Sequence, residues 1–276
     1  MAWQYNHLLK SMKKYLSKLF MLLAVLTAGI SASSQTWNGK RCAVVLTYDD
    51  AIDAHLDHAV PALDSFGLKG TFYLIGGVGA VINRIPEWRA AAARGHELGN
   101  HTGYHPCSGS EPNRSFVKPE NDLNNYTIGR MKEEIRLTNV ILKAIDGKTE
   151  RTFAFPCGDQ KIHDTPYIES VKKDFIAARG VLPKFLHIDS VHLHDINAYA
   201  VNGESAETLI KMVKQAQQTQ TLLVFMFHGV GGGHDLNVGL SEHSHLLKYL
   251  RAHETDIWLP TMIEAAKYIK ARKHDW

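Results

Sequence analysis

The sequence predicts an α/β protein, a (β/α) barrel of seven or eight strand–helix units, and three observations support that prediction. Short apolar runs alternate with longer amphipathic ones from residue 40 onward, which is typical of a parallel sheet covered by helices. Hydrophobic residues make up 45% of the chain, which is enough for a large core. No proline-rich linker divides the 276 residues, a length that is ordinary for one barrel domain.

The predicted strands are short apolar runs. The first reads CAVVLTY and is followed by two aspartates, and the run TLLVFMFHG is strongly apolar. In chain order the predicted strands are 42–48, 69–76, 96–101, 151–156, 175–180, 185–194, 221–229 and 256–260.

The predicted helices are the amphipathic segments between these strands. Glycines mark the ends of two of them, Gly67 and Gly95. The clearest helix places five apolar residues near one face: Met131, Ile135, Val140, Leu142 and Ile145. In chain order the predicted helices are 55–67, 85–95, 128–147, 167–175, 205–219, 242–253 and 262–272.

Two polar segments are predicted to be loops at the mouth of the barrel. Residues 105–125 are long, polar and interrupted by prolines. Residues 229–235 read GVGGGHD, which lacks the spacing and context of a phosphate-binding loop. We expect the second segment to be mobile.

Residues 1–34 predict an upstream extension followed by a secretory signal peptide. Lys13 and Lys14 precede an apolar run over residues 19–30, and small residues follow, with a cleavage site between Ser31 and Gln35. This run is shorter than the roughly 20 residues of a membrane span, although an uncleaved anchor is the alternative. We therefore expect an exported protein, periplasmic, cell-surface or secreted, whose mature form is one domain over 35–276 and needs no membrane.

The charge balance argues against a nucleic-acid partner. Residues 1–34 hold four lysines and no acidic residue, so the formal charge of +3 falls to −1 without them. The mature chain shows no basic patch of the kind that nucleic acid requires.

The chain contains three cysteines, Cys42, Cys107 and Cys157. An odd count in an exported chain leaves at least one thiol free. Cys107 and Cys157 both lie beside candidate site motifs, where a disulfide and free thiols are both compatible with the sequence. No Cys-x-x-Cys pair is present, which argues against a thiolate zinc site.

Every candidate polar group lies at the carboxyl end of a predicted strand. Asp49 and Asp50 follow the first strand, His101 and His105 follow the third, and His228 follows the strand beginning at residue 221. In a (β/α) barrel these ends converge on one face, where catalytic groups lie. We therefore expect the five side chains to form one site.

One aspartate and two histidines are three ligands that suit zinc or a related divalent cation with a position left open for water. Such an ion lowers the pKa of a bound water to about 7. The second carboxylate is then a candidate general base, and a histidine on another strand is a candidate acid. The pattern predicts metal-assisted acyl hydrolysis.

Several motifs resemble those of the polysaccharide deacetylase (NodB-homology) family of carbohydrate esterases. TYDDA resembles the family motif T-F-D-D-G, and GHELGNHTGYHP closely resembles G-H-E-I-G-N-H-[ST]-x-x-H-P. RTFAFPCGD, FMFH and IWLPTMIEA resemble the third motif, the L-x-H motif and the last strand and helix. The resemblance covers about residues 40–270 and implies a distorted (β/α) barrel of the NodB-homology type over a single catalytic domain, 35–276.

The resemblance also implies the role of each site residue. Asp49 matches the catalytic base and His228 the general acid, while the metal ligands match Asp50, His101 and His105. The implied metal is one divalent ion, zinc first, with cobalt or another ion as the alternative. The backbone N–H of Cys157 matches the donor to the oxyanion.

The third motif departs from the family pattern. Ala154 stands where an arginine usually braces the catalytic aspartate, and Arg151 and Arg179 are the two candidates to replace it. Cys157 replaces the usual aromatic residue. The fourth motif is unclear, so Asp189 and Asp195 are candidate partners of the proposed acid.

The predicted function is hydrolysis of N-acetyl or O-acetyl groups on a poly- or oligosaccharide. Two alternatives stay open: a non-catalytic carbohydrate-binding protein that retains the metal, and a deacylase of a small non-carbohydrate amide. The other histidines, His55, His58 and His234 among them, are interpreted as surface or structural groups, because the sequence shows no convergent partners for them.

Overall fold

The computed structural model describes residues 37–274, so the predicted extension and signal peptide of residues 1–34 lie outside the described residues. The described strands are numbered in chain order. Their bounds are β1 Cys42–Asp49, β2 Thr71–Leu74, β3 Glu97–Asn100, β4 Thr152–Ala154, β5 Lys161–Ile162, β6 Thr165–Pro166, β7 Ala177–Arg179, β8 Tyr199–Ala200, β9 Leu222–Phe227, β10 Gly229–Val230, β11 Asn237–Val238 and β12 Ile257–Trp258.

Eight of these strands form one sheet in the order β7-β4-β3-β2-β1-β9-β8, with β12 paired to the amino end of β1. Every strand pairing in this sheet is parallel. The other strands form two small pairs, β5 with β6 and β10 with β11. The parallel sheet curls into a partial barrel with helices around it, so the predicted distorted (β/α) barrel is confirmed.

The helices lie between the strands, as the alternating pattern predicts. A π-helical turn, His55–Ala59, leads directly into the first α-helix. The α-helices are α1 Val60–Ser65, α2 Gly79–Ile82, α3 Ile85–Ala93, α4 Ile128–Asp146, α5 Ala206–Thr219, α6 Leu240–Ala252 and α7 Met262–His274. The 3₁₀ turns are Pro119–Asn121, Leu123–Asn125, Pro156–Gly158, Tyr167–Ser170, Lys172–Asp174 and Ile188–Ser190.

Local sequence explains where the two long central helices begin and end. The Thr127 hydroxyl accepts a hydrogen bond from the backbone N–H of Arg130 and so caps the start of α4. That helix ends at Gly147, whose φ of 74° is the left-handed conformation that glycine adopts at low cost. The Ser205 hydroxyl caps α5 in the same way. None of the helices within residues 37–274 combines the length and apolar character needed to cross a bilayer.

Strand β1 lies in the middle of the core and is buried along its whole length. Val44, Leu46 and Tyr48 belong to the hydrophobic cluster that includes residues of α1, α3, α5 and α6. Val45 belongs to a second cluster, which includes residues of α7. Since side chains alternate along a strand, Asp49 projects on the same side as Val45. Packing on both faces thus fixes the strand that carries the first candidate catalytic residue.

Two predicted elements are wrong. The segment 167–175, predicted to be a helix, forms two 3₁₀ turns instead, because Val171 between them has φ −130°, outside the helical region. The segment 185–194, predicted to be strand-like, contains the turn Ile188–Ser190 and pairs with β9 only through the single bridge from Leu186 to Leu222. Both segments are short and lie where tertiary contacts outweigh local preference.

Candidate active site

The candidate site residues gather at one end of the sheet. Asp49 ends β1 and Asp50 follows it, His101 follows β3, and His228 follows β9. Their side chains line one cavity of about 770 Å³, which His105 also lines. Because the carboxyl ends of parallel strands meet at one edge, residues distant in sequence become neighbours. The structure therefore brings together all five residues predicted as base, acid and metal ligands.

Asp50, His101 and His105 form a compact cluster of potential metal ligands. The Oδ1 atom of Asp50 lies 3.4 Å from Nε2 of His101 and 3.3 Å from Nε2 of His105. This Oδ1 atom is buried and has no hydrogen-bond partner among the described residues. An unpartnered buried carboxylate oxygen facing two imidazole nitrogens matches the needs of a divalent cation. The three residues fit a metal ion of the zinc type.

The second ring nitrogen of each histidine also has a contact. His101 donates its Nδ1–H to the carbonyl oxygen of Ala154 at 2.8 Å, which fixes the tautomer with a free lone pair on Nε2. The Nδ1 atom of His105 faces the Sγ atom of Cys107 at 3.5 Å. Both rings therefore present Nε2 to the carboxylate of Asp50.

The surroundings of the cluster favour the charge states that metal ligands need. Burial lowers the pKa of His105 to about 4, so this imidazole is neutral near neutral pH. Burial by itself would raise the pKa of Asp50, but the neighbouring imidazoles of His101, His105 and His228 outweigh it and hold that pKa below its ordinary value. A neutral imidazole and an ionised carboxylate are the forms that bind metals.

The backbone of the site adopts conformations that side chains disfavour. Among residues 37–274, nine non-glycine residues have positive φ, and six of them line the cavity or directly adjoin the candidate site residues. Those six are Asp50, Ala51, Thr102, His105, Asn113 and Cys157. A left-handed residue costs roughly 1–2 kcal/mol. Such a concentration of strained residues is typical of a functional site whose geometry the surrounding fold imposes.

A buried arginine anchors the carboxylate of Asp49. Arg179, at the end of β7, donates its Nη2–H to Oδ2 of Asp49, and neither side chain is more than 4% exposed. The guanidinium also lies 5.2 Å from the centre of the Tyr73 ring. The Oδ1 atom of Asp49 is buried and has no hydrogen-bond partner among the described residues. One oxygen of this carboxylate is thus held and the other is free to accept a proton.

The register of β4 and β7 places Arg179 beside the position where the third motif lacks its arginine. Ala154 is the direct partner of Arg179 across the two strands, so the two residues lie at the same height. The guanidinium therefore comes from the neighbouring strand. Arg151, the other arginine considered, precedes β4 and pairs with Asp146 at 2.6 Å. The structure does not bring Arg151 to the cavity, because it lies at the amino end of its strand.

His228 lines the same cavity and lies close to the metal-type cluster. Its Nε2 atom is 4.0 Å from Oδ2 of Asp50. Its backbone carbonyl accepts a hydrogen bond from Nε2–H of His55 at 2.8 Å, and its own Nδ1 atom is buried without a hydrogen-bond partner among the described residues. Burial lowers the pKa of His228, and the carboxylates of Asp49 and Asp50 partly oppose that effect.

The structure does not place either candidate aspartate on the ring of His228. Oδ1 of Asp195 accepts a hydrogen bond from Gln160 at 2.8 Å instead. Asp189 lies in the exposed turn Ile188–Ser190. The orientation of the His228 ring must therefore have a different source.

Cys157 lines the cavity and is covalently joined to Cys107. This disulfide, between residues 50 apart in the sequence, ties the loop after His105 to the turn that follows β4. Of the two alternatives for these cysteines, the structure therefore shows the disulfide. Cys42 is a buried free thiol, in agreement with the prediction that at least one thiol stays unpaired.

Sequence reasoning missed two residues at the site. His234, interpreted as a surface or structural group, has its Nε2 atom 3.6 Å from Oδ2 of Asp50. Arg114 pairs with Asp159 and donates to the carbonyl oxygen of Cys157 at 3.2 Å. Both lie on segments predicted to be loops at the barrel mouth, and the glycine run before His234 is the one local signal that could have drawn attention to it.

The fold and the site together define an α/β barrel with an aspartate–histidine cluster, suited to a divalent cation, at the carboxyl ends of its strands. The family model described as Polysaccharide deacetylase matches residues 37–173, which include Asp49, Asp50, His101 and His105. The chain belongs to the polysaccharide deacetylase family.

Known proteins are similar to this chain over different extents. A gellan lyase from Bacillus sp is 26% identical over 185 residues, which is 62% of this chain and 6% of that protein. The uncharacterized protein YlxY from Bacillus subtilis (strain 168) is 30% identical over 104 residues, 38% of this chain and 27% of that protein. The chain thus spans far less than two thirds of either curated relative.

A solved structure matches over most of both chains. The probable polysaccharide deacetylase from Pseudomonas aeruginosa PAO1 superposes with a TM-score of 0.62 at 12% identity. The match covers 90% of this chain and 97% of that chain. At this identity the likeness shows that the fold is shared.

Proposed function

We propose that this chain hydrolyses acetyl groups on a carbohydrate with the help of one divalent metal ion. Zinc is the first candidate for the ion, and cobalt or another divalent ion is the alternative. The observation that carries the proposal is that a metal-type cluster, an arginine-braced carboxylate and an imidazole line the same cavity. Membership of the polysaccharide deacetylase family supports an acetylated poly- or oligosaccharide as the substrate.

Asp50, His101 and His105 would hold the ion. Their ligand-type atoms all lie within 4.8 Å of one another. When bound, the ion supplies a Lewis acid that polarises the acyl carbonyl and lowers the pKa of a bound water.

Asp49 is proposed as the general base. The bond from Arg179 holds its Oδ2 atom, while its Oδ1 atom is buried with no hydrogen-bond partner among residues 37–274. A carboxylate with one anchored and one free oxygen is oriented to take a proton from the water that attacks the acetyl carbon. Arg179 keeps the carboxylate in place.

His228 is proposed as the general acid. It lies on a different strand from Asp49 and lines the same cavity, so it can give a proton to the departing amine or alkoxide. The backbone N–H of Cys157 is proposed as a donor to the negative oxygen that develops during the attack. These assignments use five side chains and one backbone group that line the cavity.

The structure weakens the argument for a non-catalytic carbohydrate-binding protein. That alternative depended on the missing arginine of the third motif, and Arg179 pairs with Asp49 from the neighbouring strand. Binding alone would need neither a braced carboxylate nor an imidazole across the cavity. We therefore favour catalysis.

The shape of the cavity favours a carbohydrate over a small amide. A second cavity of about 510 Å³ shares Asp50, His105, Phe116 and His234 with the first. Phe116 is 62% exposed at this junction, where an apolar ring can pack on the face of a sugar. A substrate that extends across both cavities uses more of this surface than a small amide would.

We also propose that the protein is exported, on the basis of the leader-like residues 1–34. The disulfide between Cys107 and Cys157 supports this proposal, because disulfides persist mainly in oxidising compartments.

Acetate release from two substrates tests the proposed function. The mature chain from Gln35 is purified and assayed on an N-acetylglucosamine oligomer and on acetylated xylan. Each assay is run as purified, after treatment with a chelator, and after zinc or cobalt is added back. We expect release from one substrate that the chelator abolishes and the metal restores, and the active substrate identifies the bond as an amide or an ester.

Two variants assign the roles. Asp49→Asn is expected to bind the metal and to release acetate about 1,000-fold more slowly, whereas His101→Ala is expected to lose both metal and activity. Metal content is measured by elemental analysis of the dialysed proteins. A wild-type chain that binds metal and releases acetate from neither substrate would favour the binding-protein alternative.

A further inference from the structure

The imidazole of His234 stacks on the imidazole of His228 at the mouth of the cavity. The two ring centroids lie 4.8 Å apart, and the ring planes are inclined by 22°. This distance and near-parallel arrangement are favourable for two aromatic rings. The stack therefore opposes rotation of the His228 ring away from its observed position.

No hydrogen bond among the described residues fixes the ring of His228. Its Nδ1 atom is buried and has no hydrogen-bond partner there, and its Nε2 atom is 4.0 Å from the carboxylate of Asp50. The hydrogen bond from His55 reaches the backbone carbonyl of His228, so it holds the main chain and leaves the ring free to rotate. The stack with His234 is thus a contact that can orient the ring.

His234 is itself held in place. Its Nδ1 atom accepts a hydrogen bond from the backbone N–H of Leu236 at 2.9 Å. In the neutral ring the proton is therefore on Nε2. The side chain is 32% exposed, so it forms part of the cavity wall rather than part of the core.

The glycine loop, residues 229–238, presents His234 to the cavity. Gly231, Gly232 and Gly233 have φ values of 69°, 116° and 87°, which fold the chain back on itself. The N–H of Gly231 donates to the carbonyl of Val238 at 2.8 Å, and the N–H of Gly232 donates to Oδ1 of Asn237 at 2.7 Å. The loop is thus an anchored turn and not an open connection.

We propose that His234 is a positioning residue that orients the imidazole of His228 by stacking on it. This inference rests on the proposed role of His228 as the acid. An acid transfers its proton efficiently only when the donor atom points at the leaving group, and a misplacement of 1 Å can cost about 100-fold in rate. A carboxylate partner on Nδ1 would orient the ring of His228 through a hydrogen bond. The glycine loop orients that ring through the stacking contact of His234 instead.

Two substitutions separate stacking from hydrogen bonding. His234→Phe keeps a flat ring and removes both nitrogens, whereas His234→Ala removes the ring. We expect His234→Ala to lower kcat about 10-fold or more with little change in KM, and His234→Phe to stay within about threefold of wild type. His245→Ala, on the exposed side of α6, is the control and is expected to change neither constant.

A spectroscopic measurement tests the same point without activity. The protein is labelled with ¹³C in its histidine rings, and the signal of His228 is assigned by its loss in His228→Ala. We expect the stacked ring to shift this signal in the wild type and in His234→Phe. In His234→Ala the shift is expected to disappear, while zinc affinity, measured by competition with a metal indicator, stays at the wild-type value.

Three results would overturn the proposal. His234→Phe could be as slow as His234→Ala, the His228 signal could be the same in His234→Ala and wild type, or zinc affinity could fall in His234→Ala, which would assign His234 to Asp50 instead. If the wild type releases no acetate, the proposed function fails, and the ring signal of His228 still decides whether His234 orients it.

Discussion

Two buried arginines on neighbouring parts of the sheet have similar surroundings and different consequences. Arg151 precedes β4, and Arg179 ends β7, the strand that pairs with β4. Each is at most 2% exposed and each pairs with a buried aspartate, Asp146 for the first and Asp49 for the second. Each also has an Nε atom without a hydrogen-bond partner among the described residues.

The difference lies in what the rest of each group contacts. Arg151 donates to the carbonyl oxygens of Leu98 at 2.9 Å and Lys148 at 2.8 Å, and so joins the end of α4 to the sheet. Arg179 holds one oxygen of Asp49 and leaves the other free beside the cavity. Burial and ion pairing therefore do not identify a site. The position along the strands does identify it. The pair of Arg151 and Asp146 lies at the amino ends of the strands, and the pair of Arg179 and Asp49 lies at the carboxyl ends, where the site is.

Replacing each of the two aspartates with asparagine should give the largest difference between the amino and the carboxyl ends of the strands. Asp49→Asn removes the proposed base, so we expect kcat for acetate release to fall about 1,000-fold while metal content is retained. Asp146→Asn leaves Arg151 buried without its counter-charge, so we expect the free energy of unfolding to fall by about 3–5 kcal/mol and kcat of the folded protein to stay unchanged. Steady-state kinetics and urea denaturation check both results. Equal kcat values for the two variants would remove the distinction.

Transferring the arginine from β7 to β4 tests whether the guanidinium can reach Asp49 from either strand. Arg179→Ala is expected to lower kcat about 100-fold, because the carboxylate of Asp49 loses the contact that orients it. The double variant Arg179→Ala/Ala154→Arg should recover much of that loss, since the two positions are register partners. Steady-state kinetics of all three proteins measure this. A double variant no better than Arg179→Ala would show that the guanidinium cannot reach Asp49 from β4.

Removing the disulfide should lower the stability of the chain and weaken the site at the carboxyl ends of the strands. Cys107→Ser/Cys157→Ser is expected to lower the free energy of unfolding by about 2–4 kcal/mol. We also expect weaker metal binding, because the loop that carries His105 loses its tether. Competition with a metal indicator and urea denaturation measure the two effects. Cys42→Ala is the matched control, which removes a buried thiol that ties no loop and should leave metal affinity unchanged.

Low pH should destabilise the fold through His96, which precedes β3 at the amino end of the sheet. Its Nδ1 accepts a hydrogen bond from Gly70 N–H at 3.1 Å, and burial lowers its pKa to about 4 from an ordinary value of 6.5. The folded state then binds fewer protons than the unfolded state between these values, so its contribution is complete above pH 6.5 and is lost as the pH falls toward 4. We expect His96→Asn to remove on the order of 2 kcal/mol of the stability change between pH 7 and pH 5.

Urea denaturation of wild type and His96→Asn at pH 7, 6 and 5 measures that difference. His55 and His243, whose pKa values are also lowered to about 4 by burial, are present in both proteins and so cancel from the comparison. If the free energy of unfolding fell by the same amount with pH in both proteins, His96 would not contribute to the acid sensitivity.

Local pattern was sufficient to predict most of the barrel, and it pointed to the five residues that the structure brings to one cavity. Buried strands such as β1 and β9 read as apolar runs, and the short spacing between His101 and His105 is a local signal. The replacement for the missing arginine was left open between two positions, because its choice depends on the register of β4 with β7. That register is a property of the assembled sheet.

The contact of His234 with His228 could not be predicted from spacing. A run of glycines indicates a turn but not which residue the turn brings back to the site. The helix predicted over 167–175 was wrong for a related reason. The polar and apolar residues of this segment suit a helix, while Val171 adopts a non-helical conformation. In each case contacts with distant parts of the chain decide the outcome.

The bond between Cys107 and Cys157 makes completion of the site a matter of redox chemistry. The two residues are 50 apart in the sequence; one follows His105, a proposed metal ligand, and the other carries the proposed oxyanion donor. Forming this link needs an oxidant that removes two electrons from the paired thiols. Maturation of this protein then includes a covalent step, and protein prepared under reducing conditions would lack the link between these two segments.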